Sequence, residues 1–309
     1  MTVYNPEEYK GIFAAPVLPM LENEEIDWDT LPGYINWLVE QRPTGLAINM
    51  DAGEGHSLSK AERRRVLETY VKHVNSRCKI LAGIIANTVQ EAIDLGLEAK
   101  QIGADAIVLF PPLPLFLGSP LPDEIPYTFH AEVAKAVDMP MIIFQFPFGT
   151  GPEYSASLLK RLGEIDQIVA IKDASFDALK HLEILDVMKS LPRPISVLTG
   201  ADQLLFEEFV MGADGALIGF ASTLTKEVIA MFNAVNERRI PEAQAIWDKI
   251  GPLARYAWRR PFRDYRPRMK EVLVAQGLFK TAAVRAPLLP VSEAERQRIM
   301  ELARHAGAI

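Results

Sequence analysis

The sequence predicts an α/β fold, a (β/α)8 TIM barrel followed by a C-terminal helical extension. Eight short apolar runs alternate with amphipathic helical segments within about 225 residues, which is typical of a closed parallel barrel covered by helices. An open nucleotide-binding sheet would carry a glycine-rich loop after its first strand, and residues 16–23 contain none. We therefore expect a barrel over residues 1–238 and a helical extension over residues 239–309 that packs on it.

The eight predicted strands are nearly continuous apolar runs, as strands buried on both faces require. They cover residues 11–17, 45–49, 80–84, 106–110, 141–144, 168–171, 195–199 and 215–219. Gly103 and Gly212 lie just before two of these runs, and glycine suits the left-handed residue that ends a helix. The same helix-to-strand connection is therefore predicted twice.

The predicted helices rest on apolar residues spaced three and four apart and on serine or threonine caps. The first helix has one apolar face, formed by Leu31, Tyr34, Ile35, Leu38 and Val39. Capping boxes are predicted at Ser59–Glu62, Thr88–Glu91 and Ser292–Glu295. Further helices are expected near 123–138 and, in the extension, at 241–260, 265–278 and 292–306.

Composition argues against several classes of protein. The net charge is -7 and the pI is near 5.4, so the chain lacks the basic excess that a nucleic-acid partner requires. Cys78 is the only cysteine, which excludes an internal disulfide and a multi-cysteine metal site. The apolar windows are too short or too broken by proline to span a membrane, and the start shows no secretory signal. We expect a cytoplasmic protein without a membrane partner.

Lys172 is the strongest candidate for a catalytic residue. The run 168–173 leads from four apolar residues directly into this lysine, so a buried strand presents an amine at its carboxyl end, where barrel active sites lie. Burial lowers the pKa of an amine and leaves neutral amine free to attack a carbonyl. The alternative is a strand-end lysine whose ammonium reaches water. Lys172 is the only lysine among the predicted strand ends, which favours a Schiff-base role.

A second concentration of polar groups lies at residues 51–56. Two glycines there let backbone N–H groups approach a small anion. The acids and the histidine of the segment suggest instead a divalent metal site, which would need Asp173 or Asp202 as a further ligand. A third interpretation is that Glu54 and His56 only bond the local backbone. The other histidines lie in helical patterns and are expected to pack or to face solvent: His73, His130, His181 and His305.

These motifs resemble those of the dihydrodipicolinate synthase / N-acetylneuraminate lyase family, the Schiff-base aldolases and dehydratases of 2-oxo acids, over roughly residues 8–300. The strongest motif is 168–173, which is similar to the lysine strand of the family. The supporting motifs are Gly53-Glu54, Pro147 to Gly151, Thr199 to Asp202 and Gly212 to Gly215.

The resemblance implies that Lys172 forms an imine with the ketone of pyruvate or a larger 2-oxo acid, without a metal or an organic cofactor. It implies that the backbone N–H groups of Ala52 and Gly53 hold the substrate carboxylate. Leu217 would line the pyruvate pocket beside the imine. The resemblance also implies a homo-oligomer, a dimer or a tetramer.

The chain departs from the family pattern in four places. Phe144 stands where members usually carry a tyrosine whose hydroxyl relays protons to the bound substrate. Asp51-Ala52 replaces a pair of threonines, Pro112-Leu113 replaces the tyrosine pair of the proton relay, and Gly149 replaces the arginine that holds the second substrate of the synthase. These departures favour a reaction other than dihydrodipicolinate synthesis itself. Asp51, His56 or a water would then carry the protons.

The leading hypothesis is a lyase of the aldolase or dehydratase type that acts on a 2-oxo acid. One alternative is a catalytically weak binding protein on the same scaffold, and another is a metal-dependent barrel enzyme that uses Asp51, Glu54 and His56. The apolar loop at 110–122 is expected to be buried against a second subunit, the barrel mouth or its own barrel. The basic and aromatic stretch 255–260 would contact substrate or a neighbouring subunit, or would only face solvent.

Overall fold

The structure, a computed structural model, describes residues 4–112, 121–147 and 150–309, apart from the side chain of Arg263. Eight parallel strands form a closed barrel in which each strand pairs with the next and the last pairs with the first. The strands are β1 Gly11–Ala14, β2 Gly45–Ile48, β3 Lys79–Ile84, β4 Ala106–Leu109, β5 Met141–Gln145, β6 Ile168–Asp173, β7 Ser196–Thr199 and β8 Gly215–Ile218. The predicted fold class is confirmed.

One helix follows each strand and covers the outside of the barrel. These helices are α1 Leu31–Glu40, α2 Lys60–Val74, α3 Val89–Ile102, α4 Glu124–Val137, α5 Ala156–Gly163, α6 Ala178–Ser190, α7 Leu205–Met211 and α8 Thr225–Asn236. Three more follow: α9 Ile240–Ala257, α10 Tyr265–Ala275 and α11 Glu293–Ala306. Because α9 packs on α8 and α11 packs on both α9 and α10, the C-terminal helices continue the outer layer of the barrel.

The helix ends follow the local sequence signals. Ser59 and Glu62 form the predicted capping box at the start of α2, with both reciprocal hydrogen bonds present. Gly103 and Gly212 end α3 and α7 with φ of +107° and +109°, the left-handed conformation that glycine adopts without strain. Both predicted helix-to-strand connections are therefore confirmed.

The other two predicted capping boxes are only half formed. Thr88 and Ser292 each accept the hydrogen bond from the helix backbone, as a cap should. The carboxylate of Glu91 instead accepts from the N–H of Asn87, and Glu295 pairs with an arginine at 2.6 Å. Each carboxylate therefore bonds a different donor instead of the backbone N–H of the N-cap residue, which would have completed the capping box.

Strand alternation decides which side chains reach the interior of the barrel. Lys172 lines the cavity at the carboxyl end of β6, whereas the adjacent Asp173 points outward and its carboxylate bonds His181 on α6. Phe144 is the register partner of Lys172 on β5, so the ring and the amine meet at the same end of the barrel.

Two further sequence expectations concern membranes and the apolar loop. Within the described residues, no helix is both long enough and apolar enough to cross a membrane. Most of the apolar loop at 110–122 lies outside the described residues, so its burial stays a prediction.

Candidate active site

A cavity of about 350 Å³ opens at the carboxyl ends of the barrel strands. It brings together five of the residues that the sequence singled out, from three different strand ends: Asp51, Ala52, His56, Phe144 and Lys172. Active sites of barrels of this kind lie at this face, because the strand-to-helix loops converge there. The cavity is therefore the candidate active site.

Two predicted site residues lie apart from the lining of this cavity. Leu217 was expected to line the pocket, but it is fully buried in β8. Gly219, two residues later, does line the cavity. Side chains two apart in a strand face the same side, so Leu217 lies one layer deeper in the barrel. Gly53 lies behind Ala52, where an added Cβ would come within 3.1 Å of the carbonyl oxygen of Pro16.

The turn after β2 offers two free backbone donors. The N–H groups of Glu54 and Gly55 close the turn by donating to carbonyls at its start. Ala52 and Gly53 donate no backbone hydrogen bond to any residue in the part of the chain that the structure describes. Buried N–H groups without a partner are rare, and a bound carboxylate would satisfy both.

Lys172 is a partly buried amine in a largely aromatic setting. Its Nζ lies 4.1 Å from the ring centroid of Phe144. Burial lowers its pKa to about 8, against the opposing pull of the negative charges of Asp202 and Asp51. A Cβ on Gly200 would approach Lys172 Cε to 2.8 Å, so this glycine gives the lysine its space. About a tenth of the amine is therefore neutral at pH 7 and about half at pH 8.

The lowered pKa of Lys172 predicts the pH dependence of imine formation. Because only the neutral amine attacks a ketone, the rate at low pyruvate concentration should rise about tenfold per pH unit below the pKa of about 8 and become level above it. Rapid-quench trapping of the imine between about pH 6 and pH 9.5 measures this rate. A rate that still climbs tenfold between about pH 8.5 and 9.5 would indicate an ordinary lysine and contradict the assignment.

Asp202 is a second buried ionisable group in the cavity. Its Oδ1 accepts a 2.7 Å hydrogen bond from the N–H of Phe220. Burial raises the pKa of this carboxyl to about 7, while the Phe220 N–H and the charge of Lys172 act to lower it. The sequence suggested Asp202 only as a metal ligand. The structure adds it to the ionisable groups around the amine.

Asp51 is held by two residues of α10. The hydroxyl of Tyr265 donates to Asp51 Oδ2 at 2.9 Å, and Arg266 pairs with Oδ1 and donates to the backbone oxygen at 2.8 Å. Burial acts to raise the pKa of Asp51, but the charges of Arg266 and His56 and the Tyr265 hydroxyl hold it below its usual range. Asp51 therefore stays a carboxylate at neutral pH.

His56 lies at the rim of the same cluster. Its Nε2 is 3.8 Å from Asp51 Oδ1, and its ring packs edge-on against Phe110 at 5.9 Å. Burial lowers the pKa of His56, with the Asp51 charge opposing it. The imidazole is therefore mostly neutral at pH 7 and able to accept a proton.

Glu54 turns away from the cavity. It adopts φ of +57°, and its Oε1 lies 2.5 Å from the Nζ of Lys270 on α10, with both side chains fully buried. Lys270 also donates to the carbonyl of Ala283 at 2.7 Å. Glu54 was expected either to ligate a metal or to bond only the local backbone. Both expectations are wrong, because its carboxylate pairs with Lys270, which is distant in sequence.

The predicted metal ligands are not gathered in one place. Asp173 faces away from the cavity, and its Oδ2 lies 2.8 Å from Nδ1 of His181, which is 3.5 Å from Glu208. Among the described residues, these three form the buried group close enough to share an ion. The Nδ1 of His181 faces both carboxylates and is hydrogen-bonded to Asp173, while its buried Nε2 has no hydrogen-bond partner within the described part of the chain.

Sequence reasoning gave no role to most of the apolar lining. Phe110 and Phe146 follow β4 and β5, Phe176 follows β6, and Trp258 and Phe262 come from the C-terminal region. Trp258 lies in the stretch whose arginines suggested solvent exposure, yet it is buried. The sequence does hold a signal for this lining, because aromatic residues are concentrated at the strand ends and at 256–265. Segments that face solvent usually carry fewer large apolar side chains.

Comparison with known proteins gives a consistent result. Residues 8–306 match the family model of the dihydrodipicolinate synthetase family. A 4-hydroxy-tetrahydrodipicolinate synthase of Psychrobacter sp. (strain PRwf-1) is 33% identical over 80% of this chain and 79% of its own length. The one from Methanocaldococcus jannaschii is 29% identical over 95% of this chain and 96% of its own length.

A solved structure agrees with these relatives. The dihydrodipicolinate synthase from Acinetobacter baumannii, determined in complex with pyruvate, superimposes with a TM-score of 0.87 at 30% identity. The match covers 97% of this chain and 99% of that one. The chain therefore belongs to the dihydrodipicolinate synthetase family of lyases, as the motifs around Lys172 indicated.

Proposed function

We propose that this lyase is of the aldolase or dehydratase type and binds pyruvate or a larger 2-oxo acid as an imine of Lys172. The observation that carries the proposal is the partly buried amine of Lys172, which lines the cavity at the carboxyl end of β6 and has its pKa lowered to about 8. The two unpaired N–H groups of Ala52 and Gly53 supply the site for the substrate carboxylate.

The proposed chemistry needs only this amine and proton transfer. The amine adds to the ketone, water leaves, and the protonated imine draws electrons from the adjacent carbon. An aldol bond to that carbon can then break, or a hydroxyl one carbon further can leave as water. In cleavage the resulting enamine is protonated before the imine is hydrolysed. In dehydration a base first takes a proton from the adjacent carbon to form the enamine, and the enamine then expels the hydroxyl, which leaves as water with a donated proton. No metal or organic cofactor takes part.

Proton transfer cannot come from residue 144, because Phe144 has no hydroxyl. Tyr265 lines the cavity, and its hydroxyl donates a hydrogen bond to Asp51. This pair therefore supplies a phenol and a carboxylate in place of the tyrosine that family members usually carry at position 144. His56 offers a neutral imidazole 3.8 Å from the same carboxylate. We assign the relay to this group of Asp51, His56 and Tyr265.

The relatives are named as synthases, but this chain departs from them at positions that would define that reaction. Gly149, which matches the arginine for the second substrate, lies outside the described residues. Among the described lining side chains, Lys172 is the one lysine or arginine. A panel of 2-oxo acids and 4-hydroxy-2-oxo acids, followed by pyruvate release or loss of water, tests the proposal. Turnover of none of them would contradict it.

One observation favours a second candidate function, a protein that binds 2-oxo acids and turns them over slowly. The ring of Phe144 lies over the amine where a hydroxyl would act. In this case Phe144→Tyr should speed exchange of the pyruvate methyl protons with deuterated water by about tenfold or more, as followed by NMR. Unchanged exchange in Phe144→Tyr would show that the relay already lies elsewhere.

We also propose that the chain assembles with copies of itself as a dimer or tetramer. Four apolar side chains on α6 and α7 are exposed: Leu179, Leu182, Val210 and Met211, with Leu179 78% exposed. The two helices contact each other, and exposed apolar side chains on neighbouring helices are typical of interfaces. Sedimentation analysis at micromolar concentration tests this, and a single monomeric species would contradict it.

A further inference from the structure

The inner end of the cavity is walled by phenylalanines. Phe110, Phe144 and Phe146 lie against one another, with ring centroids 5.0 Å apart for the first pair and 4.5 Å for the second. Phe144 is the ring beneath the Lys172 amine. A group attached to the imine carbon therefore meets aromatic surface at once.

A second set of rings comes from the loop after β6 and from the C-terminal region. Phe176 and Phe262 are stacked, with centroids 5.3 Å apart and planes 8° apart, and Trp258 stacks on Tyr265 at 4.7 Å. All four line the cavity. Walls made of stacked rings favour a flat apolar ligand. Aromatic rings that pack offset or edge to face gain more free energy than the buried area alone provides.

The charges in the cavity disfavour a second carboxylate on the ligand. In the described lining the acidic side chains are Asp51 and Asp202. The amine of Lys172 is consumed in the imine with the substrate ketone and cannot pair with a second carboxylate. Arg266 lies next to the cavity but is paired with Asp51. A distal carboxylate would lose water and meet two acids without a free cation, which is costly.

From these features we infer that the substrate is a 2-oxo acid that carries an aryl group at its far end. This inference rests on the proposed imine of Lys172. The matching reaction is cleavage of a 4-aryl-4-hydroxy-2-oxobutanoate. The bond between C3 and C4 breaks and its electron pair forms the enamine, while the C4 hydroxyl gives its proton to the relay group and its oxygen becomes the carbonyl of the released aryl aldehyde. The enamine takes a proton at C3, and water releases pyruvate. No oxidant or reductant is needed.

The test compares two substrates that differ only at the far end. The purified full chain is given 4-hydroxy-2-oxo-4-phenylbutanoate or 4-hydroxy-2-oxopentanedioate, in which a carboxylate replaces the phenyl group, and pyruvate release is measured. The expected result is a kcat/KM about 100-fold higher for the phenyl compound, the size of preference that burying one ring and excluding one charge supplies.

Matched variants show whether the rings of the cavity cause this preference. Phe176→Leu should lower the kcat/KM for the phenyl compound about fivefold or more, chiefly through KM, because the stacked wall is lost. Phe206→Leu makes the same change on α7, at a partly buried position outside the cavity, and should leave the substrate ratio unaltered.

The outcomes separate this inference from the function it rests on. A dicarboxylate that is cleaved as well as the phenyl compound, or better, overturns the aryl preference, and if borohydride still traps pyruvate on the protein the imine function survives. Failure to trap pyruvate removes both. Equal losses in Phe176→Leu and Phe206→Leu would show that the cavity rings do not set the preference.

Discussion

Replacing Lys172 by methionine is expected to lower turnover by about ten-thousand-fold or more, because the imine cannot form without the amine. Methionine is apolar and of similar length, so it fills the same buried space beside Phe144 without leaving a charge. The measurement is kcat with the best substrate of the panel, alongside circular dichroism to show that the barrel is intact. Burial of a charged lysine in this position costs stability, so the variant should be no less stable than the parent.

The control for this variant is Lys226→Met, the same change at an exposed position on α8. It should retain full activity. Activity of Lys172→Met within tenfold of the parent would mean that another group carries the reaction.

Removing one partner of the buried pair between Glu54 and Lys270 is expected to have the largest effect on stability. Lys270→Met leaves the Glu54 carboxylate fully buried without its cation, which should lower the free energy of unfolding by about 3–5 kcal/mol. Urea denaturation at pH 7 measures this loss. The double variant Glu54→Gln with Lys270→Met removes both charges and should recover a large part of it.

The matched control for the buried pair is Lys10→Met. Lys10 pairs with Glu7 at 2.7 Å, but the two side chains are 39% and 66% exposed, so the loss should stay below about 1 kcal/mol. Equal losses in Lys10→Met and Lys270→Met would contradict the account of the buried pair. Because α10 also carries Tyr265 and Arg266, loosening it should disturb the position of Asp51 as well.

The sequence predicted the features that depend on local pattern. Apolar runs and helical spacing located the eight strands, and the rule that barrel chemistry lies at carboxyl ends singled out Lys172 before any contact was known. The helix ends at Gly103 and Gly212 could be predicted because glycine adopts the left-handed conformation without help from distant residues.

Features that depend on distant partners could not be predicted in the same way. Tyr265 reaches Asp51 across 214 residues, and Lys270 reaches Glu54 across 216. Nothing in the spacing of either segment indicates which buried acid will meet which base. Asp173 was weighed as a metal ligand because it lies at a strand end, yet the alternation of β6 points its side chain outward to His181.

The most direct test of the imine proposal is borohydride reduction in the presence of pyruvate, followed by mass spectrometry of the digested protein. We expect one reduced pyruvate adduct per chain, on the peptide that contains Lys172, and no adduct in Lys172→Met. A protein that gains no adduct with pyruvate or any 2-oxo acid of the panel, or that gains it on a different lysine, would contradict the account.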